Sequence, residues 1–288
     1  GDVFTFLEKI EGLDFAEALE KLAKRAGIVL EKKFSGQKDK QKETLLAINE
    51  AAKDFYHKIL VTHPVAQKSR EYLKDRGLKV DDIKTFELGY APNSWDSLFN
   101  MLVKKGFSQA DIAMSGLVIS KDRGGFYDRF RGRVMFPIRD IAEKLVGFSG
   151  RTMMNDPKEA KYVNTPETPM FSKRNLLYGI HLSRQFVTKE NSVVLVEGQF
   201  DMVSSFLAGT KNVVATGGTA LTDGQLRVIK RLTENVLICF DSDSAGDAAR
   251  PGTGPVPAGA RRRKADGHRS PGTRSGEYGT GRPGCLDG

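Results

Sequence analysis

The sequence predicts an α/β protein in which an α+β N-terminal part is followed by a parallel βαβαβ sheet. Three short apolar runs, at residues 193–196, 212–215 and 236–240, have the β-branched and aliphatic composition of strands buried on both faces. The residues between these runs repeat apolar side chains at helical spacing. Strands that alternate with helices imply right-handed crossovers, and therefore a parallel sheet.

The helices of this sheet have recognisable ends. Residues 201–208 form the first predicted helix, and Gly209 stands where a left-handed C-terminal residue is common. Thr222 is a suitable N-cap for the second. After the middle strand, Gly217 and Gly218 predict a turn whose backbone N–H groups are offered to a phosphate.

Acidic residues follow the first and third predicted strands. Glu197 ends the first, while Asp241 and Asp243 follow the third. Because ligands of such sheets bind outside the carboxyl ends of the strands, these carboxylates are expected to meet in one crevice. Oxygen ligands of this kind suit Mg²⁺ or Mn²⁺. The alternative is that the acids only solvate strand ends and cap the following helices.

Composition describes a soluble globular protein of one large or two modest domains. The chain has 288 residues, 39% of them hydrophobic and 28% charged, without an apolar run of membrane-spanning length or a signal peptide. Its two cysteines exclude a disulfide framework and a four-cysteine zinc site, as expected for a bacterial cytoplasm. Because the first residue is Gly rather than Met, we expect a fragment of a longer chain.

The net charge of +9 suggests a polyanionic partner, but it is unevenly distributed. Residues 250–288 carry eight basic and three acidic side chains, a net of +5, which leaves +4 for the rest. A nucleic-acid interface must therefore be argued from local clusters.

The N-terminal half reads mainly as helices. Asp14 and Glu17 form a capping box in a helical segment that ends near residue 33. Residues 36–42 are polar and read as a linker before a helix from about 43 to 61. Trp95, in a Pro-containing loop, is expected to pack.

Basic and aromatic side chains interleave just before a strand predicted at residues 134–138. Such a pattern suits single-stranded nucleic acid, because guanidinium groups bind phosphate and rings stack on bases. An ordinary strand edge whose rings enter the core is the alternative. The residues concerned are Phe126, Tyr127, Arg129, Phe130, Arg131 and Arg133.

Two acidic motifs carry a resemblance to a known family. Val-Glu-Gly-x-x-Asp, ending at Asp201, and Phe-Asp-x-Asp-x-Ala-Gly, ending at Gly246, resemble the Toprim domain of bacterial primases, topoisomerases and related nucleases. The resemblance implies that Glu197 is the catalytic carboxylate and that Asp241 and Asp243 are metal ligands, with Glu197 able to share the metal. It leaves Asp201 as either an accessory acid or a helix cap.

Residues 161–179 narrow the resemblance to DnaG-type bacterial DNA primases. Lys-Tyr, Asn-x-Pro-Glu-Thr, Phe-x-Lys and Leu-Tyr-Gly occur there in that family's order. The implied activity is synthesis of short RNA primers on a single-stranded DNA template from ribonucleoside triphosphates, at the replication fork. Basic residues of these motifs bind nucleotide phosphates and template in the family. The resemblance carries these roles to Arg151, Lys161, Lys173, Arg76, Arg131 and Arg133.

The resemblance also divides the chain. The family's zinc ligands lie upstream of this sequence, so no zinc is expected here, and the helicase-binding C-terminal domain is expected only in a full-length member. No membrane partner is expected. The expected parts are 1–35, the helical end of a zinc-ribbon domain; 36–42, a linker; 43–190, the N-terminal subdomain of the primase core; 191–249, a truncated Toprim subdomain; and 250–288, a tail.

The tail departs from the family, which continues with another strand and an Asp-Pro-Asp motif. Residues 250–288 contain ten Gly and five Pro, and they show no apolar periodicity. Such a stretch cannot bury enough apolar surface to offset its ordering entropy, so it is predicted to be disordered. We hypothesise a reading-frame shift or an assembly error just after Ala249, and a genuine basic tail that binds nucleic acid is the alternative.

Two other functions stay open. One is a different Toprim enzyme, a nuclease or topoisomerase, although the second needs an active-site tyrosine in a separate domain. The other is an inactive truncated chain that binds single-stranded DNA without polymerising.

Overall fold

The computed structural model describes residues 2–28, 36–154, 159–218, 220–240 and 261–262. The chain begins with a helical hairpin of α1 (Val3–Glu11) and α2 (Phe15–Ala26). The predicted capping box is confirmed: Asp14 accepts a hydrogen bond from the Glu17 amide, and Glu17 accepts one from the Asp14 amide. Gly12 joins the two helices at φ +65°, a left-handed conformation that favours glycine.

Ion pairs dock this hairpin against the rest of the molecule. The guanidinium group of Arg184, a residue that is 5% exposed, lies 2.8 Å from Glu11 and 2.5 Å from Glu143. Arg231 pairs with Glu17 at 2.9 Å. These contacts join the first residues of the chain to its C-terminal half.

Helices and short strands form the next part of the chain. Its helices are α3 (Gln37–Thr62), α4 (Gln67–Asp75), α5 (Val80–Thr85), α6 (Ser97–Lys104) and α7 (Gln109–Met114), and its strands are β1 (Gly89–Ala91), β2 (Val118–Ser120) and β3 (Phe126–Asp128). The long helix begins at Gln37, so most of the segment expected to be a linker is helical. Strands β2 and β3 pair as an antiparallel hairpin.

An antiparallel sheet forms the centre of the molecule. It contains β4 (Arg133–Arg139), β5 (Leu145–Thr152) and β6 (Tyr162–Asn164), and its strand order is β1-β4-β5-β6. Arg151 pairs with Val134 on one side and with Tyr162 on the other. The sheet therefore places the basic end of β5 between two neighbouring strands.

The predicted parallel sheet is confirmed. Its elements are α8 (Ile180–Glu190), β7 (Val193–Val196), α9 (Gln199–Leu207), β8 (Val213–Ala215), α10 (Asp223–Lys230) and β9 (Val236–Ile238). Strand β7 is central and pairs in parallel with β8 and β9. Thr222 caps α10 through a hydrogen bond from the Gln225 amide, as predicted.

Little of the tail falls among the described residues. The two-residue strand β10 (Arg261–Arg262) pairs in parallel with β9, which differs from the expectation of no regular structure at these two positions. The rest of the expected tail, residues 250–288, lies outside the described residues.

One apolar core spans both sheets. Val134 and Phe136 of β4 cluster with Phe200 and Val203 of α9 and with Val213 of β8. The antiparallel sheet and the parallel sheet therefore pack as neighbours, which brings their polar edges together. None of the described helices is both long enough and apolar enough to cross a lipid bilayer.

Candidate active site

Glu197 lies at the carboxyl end of the central parallel strand. Its side chain is half-buried, and its backbone oxygen accepts hydrogen bonds from the amides of Gly217 at 3.0 Å and Gly218 at 3.1 Å. Both glycines have positive φ, +76° and +78°, which lets the turn after β8 fold back onto Glu197. These amides are therefore committed to Glu197, contrary to the expectation that they are offered to a phosphate.

The third strand leads to the same edge as Glu197. Leu195 of β7 pairs with Ile238 of β9, and the Cys239 amide donates to the Leu195 oxygen at 2.8 Å. Asp241 and Asp243 lie outside the described residues, so their meeting with Glu197 stays a prediction. Within the described ranges, no group of three or more His, Cys, Asp or Glu side chains forms a metal site.

Asp201 occupies the first turn of α9. Its carboxylate accepts a hydrogen bond from the Gly198 amide at 3.0 Å, so the capping role is present. Its charge also acts on Tyr162, the residue that pairs with Arg151 in the antiparallel sheet. Burial raises the pKa of the Tyr162 phenol, the charge of Arg151 lowers it, and the charge of Asp201 raises it again. An accessory role of Asp201 remains a prediction.

Two of the expected basic residues form one cluster at the junction of the two sheets. The guanidinium carbon of Arg151 lies 4.4 Å from the ring centre of Tyr72 and 5.4 Å from that of Phe200. Arg76 lies over the same rings, at 5.4 Å and 5.5 Å. Ring faces attract cations, so these contacts hold two like charges beside each other.

Helix α9 starts two positions after Glu197, and Phe200 lies in its first turn. Phe200 therefore connects the two arginines to the edge of the parallel sheet where Glu197 lies. The arginine cluster (Arg76 and Arg151 over Tyr72 and Phe200) is therefore a neighbour of the expected metal site. Neither ring was predicted, because each resembles an ordinary apolar residue of a helix.

Lysine side chains border this region. Lys161 is exposed, and its backbone oxygen accepts from the Thr152 amide at 3.0 Å, next to Arg151 on β5. Lys173 is exposed and, together with Asn164 and Gln199, lines a small pocket beside the turn at Gly217. The pocket therefore lies between the Asn-x-Pro-Glu-Thr segment and the edge of the parallel sheet.

A second basic site lies on the β2–β3 side of the molecule. The guanidinium carbon of Arg131 is 4.5 Å from the ring centre of Trp95 and 5.3 Å from that of Tyr127. Trp95 packs edge-on against Tyr127 with 5.7 Å between ring centres, as expected, but it is 64% exposed and so lies at the surface. Tyr127 and Arg131 are half-buried beside it, and we call the surface that Trp95, Tyr127 and Arg131 form the aromatic platform.

Arg133 differs from the other expected basic residues. It is 6% exposed, and its guanidinium group donates to the backbone oxygens of Gly150 and Ala160 and to the Glu159 carboxylate. Burial lowers its pKa, and the Glu159 charge opposes that change. Since its donors are directed at protein acceptors, the geometry favours a structural role over template binding.

Comparison with known proteins agrees with this architecture. A family model for the N-terminal domain of the DNA primase catalytic core matches residues 55–184, and a Toprim-like model matches residues 194–251. A DNA primase of Halalkalibacterium halodurans is 44% identical over 252 residues, covering 86% of this chain and 42% of the relative. The chain thus spans about two fifths of the length of that relative.

Solved structures give the same result. The RNA polymerase domain of Mycobacterium tuberculosis primase DnaG, in complex with double-stranded DNA, superposes with a TM-score of 0.72 at 34% identity, covering 80% of this chain and 75% of that one. A DnaG primase catalytic domain bound to single-stranded DNA gives 0.65 at 38% identity, covering 73% and 67%.

The parallel sheet with Glu197 at its carboxyl edge is thus a Toprim-like domain joined to the N-terminal domain of a primase catalytic core. The chain belongs to the family of DnaG-type bacterial DNA primases.

Proposed function

We propose that this chain carries the polymerase core of a primase, which synthesises short RNA primers on single-stranded DNA from ribonucleoside triphosphates. The observation that carries the proposal is the arginine cluster beside the carboxylate edge of the parallel sheet. Phosphoryl transfer needs little covalent participation from the protein, so positioning and charge stabilisation by such groups supply most of the catalysis.

The cluster suits a triphosphate. Arg76 and Arg151 lie over rings that hold the guanidinium planes, which leaves planar N–H donors for phosphate oxygens. Lys161 and Lys173 add exposed charges at the two ends of the Asn-x-Pro-Glu-Thr segment. Together these four residues would bind and orient the incoming nucleotide and the nearby template phosphates.

The aromatic platform suits the single-stranded template. Bases stack on exposed rings without sequence preference, and a guanidinium group beside the rings binds the adjacent phosphate. Trp95 and Arg131 offer both partners side by side, with the ring exposed and the arginine half-buried. A related catalytic domain is bound to single-stranded DNA, which supports template binding by this kind of core.

Glu197 is the proposed catalytic carboxylate. The donor set fits a divalent ion, Mg²⁺ or Mn²⁺, because β7 ends in a carboxylate and β9 runs parallel to it towards Asp241 and Asp243. When bound by these residues, such an ion supplies charge neutralisation of the triphosphate. Glu197 would accept the proton of the primer 3′-hydroxyl or share the ion, and Asp201 would orient the start of α9.

Primer synthesis from labelled ribonucleotides on single-stranded DNA, with Mg²⁺ or Mn²⁺, tests the proposal. Glu197→Gln should lower the product by roughly a hundredfold or more, as expected for loss of a general base or a metal ligand. Glu190→Gln is the matched control, since this exposed glutamate precedes the opposite end of β7. Product that survives Glu197→Gln would sink the catalytic assignment.

DNA binding without product would favour the non-enzymatic alternative, a chain that only holds single-stranded DNA. A nuclease or topoisomerase is disfavoured, because the matches at residues 55–184 are to a primase core. For the whole protein we propose action at the replication fork in the bacterial cytoplasm, with the replicative helicase as a partner of its C-terminal domain.

A further inference from the structure

A buried carboxylate lies directly beneath the aromatic platform. Asp128, the last residue of β3, is 2% exposed. One carboxylate oxygen accepts from the Leu98 amide at 2.8 Å and from the Ser97 hydroxyl at 3.3 Å, and the other accepts from the Phe99 amide at 3.0 Å. Burying a carboxylate is costly, so its position here needs a structural reason.

The carboxylate caps α6 from a distant strand. Helix α6 begins at Ser97, and its N-cap residue Asp96 makes no capping hydrogen bond through its own side chain. Asp128 supplies that bond across about thirty residues of sequence. Because Trp95 lies two residues before the first residue of the helix, this cap fixes the loop that carries the ring to strand β3.

The backbone of Asp128 also bonds to two of the three platform residues, Trp95 and Arg131. Its amide donates to the Trp95 backbone oxygen at 2.7 Å. Its own backbone oxygen accepts from the Arg131 guanidinium group, also at 2.7 Å. One buried residue is therefore bonded to the loop of Trp95 and to the side chain of Arg131.

We infer that Asp128 is a positioning residue for template binding, which locks the Trp95 loop to β3 so that ring and guanidinium group form one preformed surface. The inference rests on the proposed function for its ligand, single-stranded DNA. A preformed surface loses less conformational freedom on binding, and this raises affinity without a new contact.

Asp128→Asn in the full chain tests the inference. The substitution keeps the size of the side chain but replaces one acceptor oxygen by a donor, which cannot pair with the helix amides. Trp95 is the sole tryptophan of the chain, so its fluorescence anisotropy reports on this loop alone. Without DNA, we expect lower Trp95 anisotropy. We also expect the affinity for oligo(dT) to fall by about fivefold to tenfold, which corresponds to a large part of the free energy of one base-stacking interaction.

Ser108→Ala is the matched control. Ser108 caps α7 through a hydrogen bond from the Asp111 amide, in the same subdomain as the platform. This variant also loses a helix cap, so a loss of stability alone would change both variants alike. Ser108→Ala should lower thermal stability but leave Trp95 anisotropy and oligo(dT) affinity unchanged.

A double-mutant cycle with Trp95→Ala separates positioning from a general effect. If Asp128 acts by positioning the Trp95 ring, adding Asp128→Asn to Trp95→Ala should weaken oligo(dT) binding by less than about twofold further. The same fivefold to tenfold loss in both backgrounds would overturn the inference. Wild-type oligo(dT) affinity in Asp128→Asn would also overturn it, while leaving the proposed function intact.

Two further outcomes remain decisive. If the wild-type chain does not bind oligo(dT), the template role of the platform fails, and Trp95 anisotropy in the absence of DNA still tests the lock. If Asp128→Asn does not fold, Ser97→Ala removes only the hydroxyl donor and should lower Trp95 anisotropy by a smaller amount. Unchanged anisotropy in that variant would count against the lock.

Discussion

Protonation of Asp128 should change the stability of the folded chain between pH 7 and pH 5. Burial raises the pKa of this carboxyl group from 3.8 to about 6, against the opposing effect of the Leu98 and Phe99 amides. In the unfolded chain the group keeps its usual pKa, so the folded state binds the proton more tightly. Stability from this group is therefore gained as pH falls through the folded pKa, and it is lost as pH rises.

The expected magnitude follows from the two pKa values. Proton linkage adds about 1.3 kcal/mol to the free energy of unfolding at pH 5 relative to pH 7. Asp128→Asn has no carboxyl group at this position. The change in its free energy of unfolding between pH 7 and pH 5 should therefore differ from that of the wild type by this amount. Urea denaturation followed by circular dichroism at both pH values measures it, with equal m values as the check.

Other titrating groups cancel in this comparison. Burial lowers the pKa of His181 to about 4, and His181 contributes equally to both proteins. Asp81→Asn, which alters an exposed carboxyl group of α5, should reproduce the wild-type pH dependence. If Asp128→Asn also reproduces it within about 0.3 kcal/mol, the reasoning that burial perturbs Asp128 is refuted.

Two further substitutions test contacts elsewhere. Arg151→Lys should raise the KM for ribonucleotides by roughly tenfold in primer synthesis, because an ammonium group loses the planar donors held over Tyr72, and an unchanged KM would contradict this role. Arg184→Met should lower the free energy of unfolding in urea by roughly 2 kcal/mol, since Glu11 and Glu143 lose their buried partner and keep only the more exposed Lys21. Lys144→Met, which breaks a more exposed pair, should cost less than about 1 kcal/mol, and equal losses in both variants would refute the burial argument.

Local sequence pattern was sufficient for the parallel sheet, where apolar strands and amphipathic helices alternate. It was insufficient for the start of α3 at Gln37, because a Lys- and Gln-rich segment reads as a linker although both residues favour helices. The antiparallel sheet was harder to predict from local sequence pattern. Strand β1 has three residues, and Gly89 pairs with Met135, a contact distant in sequence that no local pattern reveals.

Some site residues were predictable from local sequence pattern, and others depend on contacts that are distant in sequence. Glu197 was predictable because it ends an apolar strand, and the structure places it at the sheet edge. Arg131 and Arg133 were indistinguishable in sequence, two positions apart in one basic stretch. Arg133 is buried against Glu159, whereas Arg131 lies over the Trp95 ring, and both partners come from other parts of the fold. The one available indication for Trp95 was a large ring within a polar, Pro-containing loop.

Arginine and lysine side chains are held differently in the proposed site. The three arginines with ring contacts, Arg76, Arg131 and Arg151, have guanidinium groups held at fixed places by aromatic faces. Lys161 and Lys173 are exposed on flexible stems. The arginines can therefore define where a phosphate lies, while the lysines add charge that screening by salt weakens. It follows that added salt should lower the affinity for DNA in every variant, whereas loss of a ring-held arginine should impair the placement of the substrate at any ionic strength.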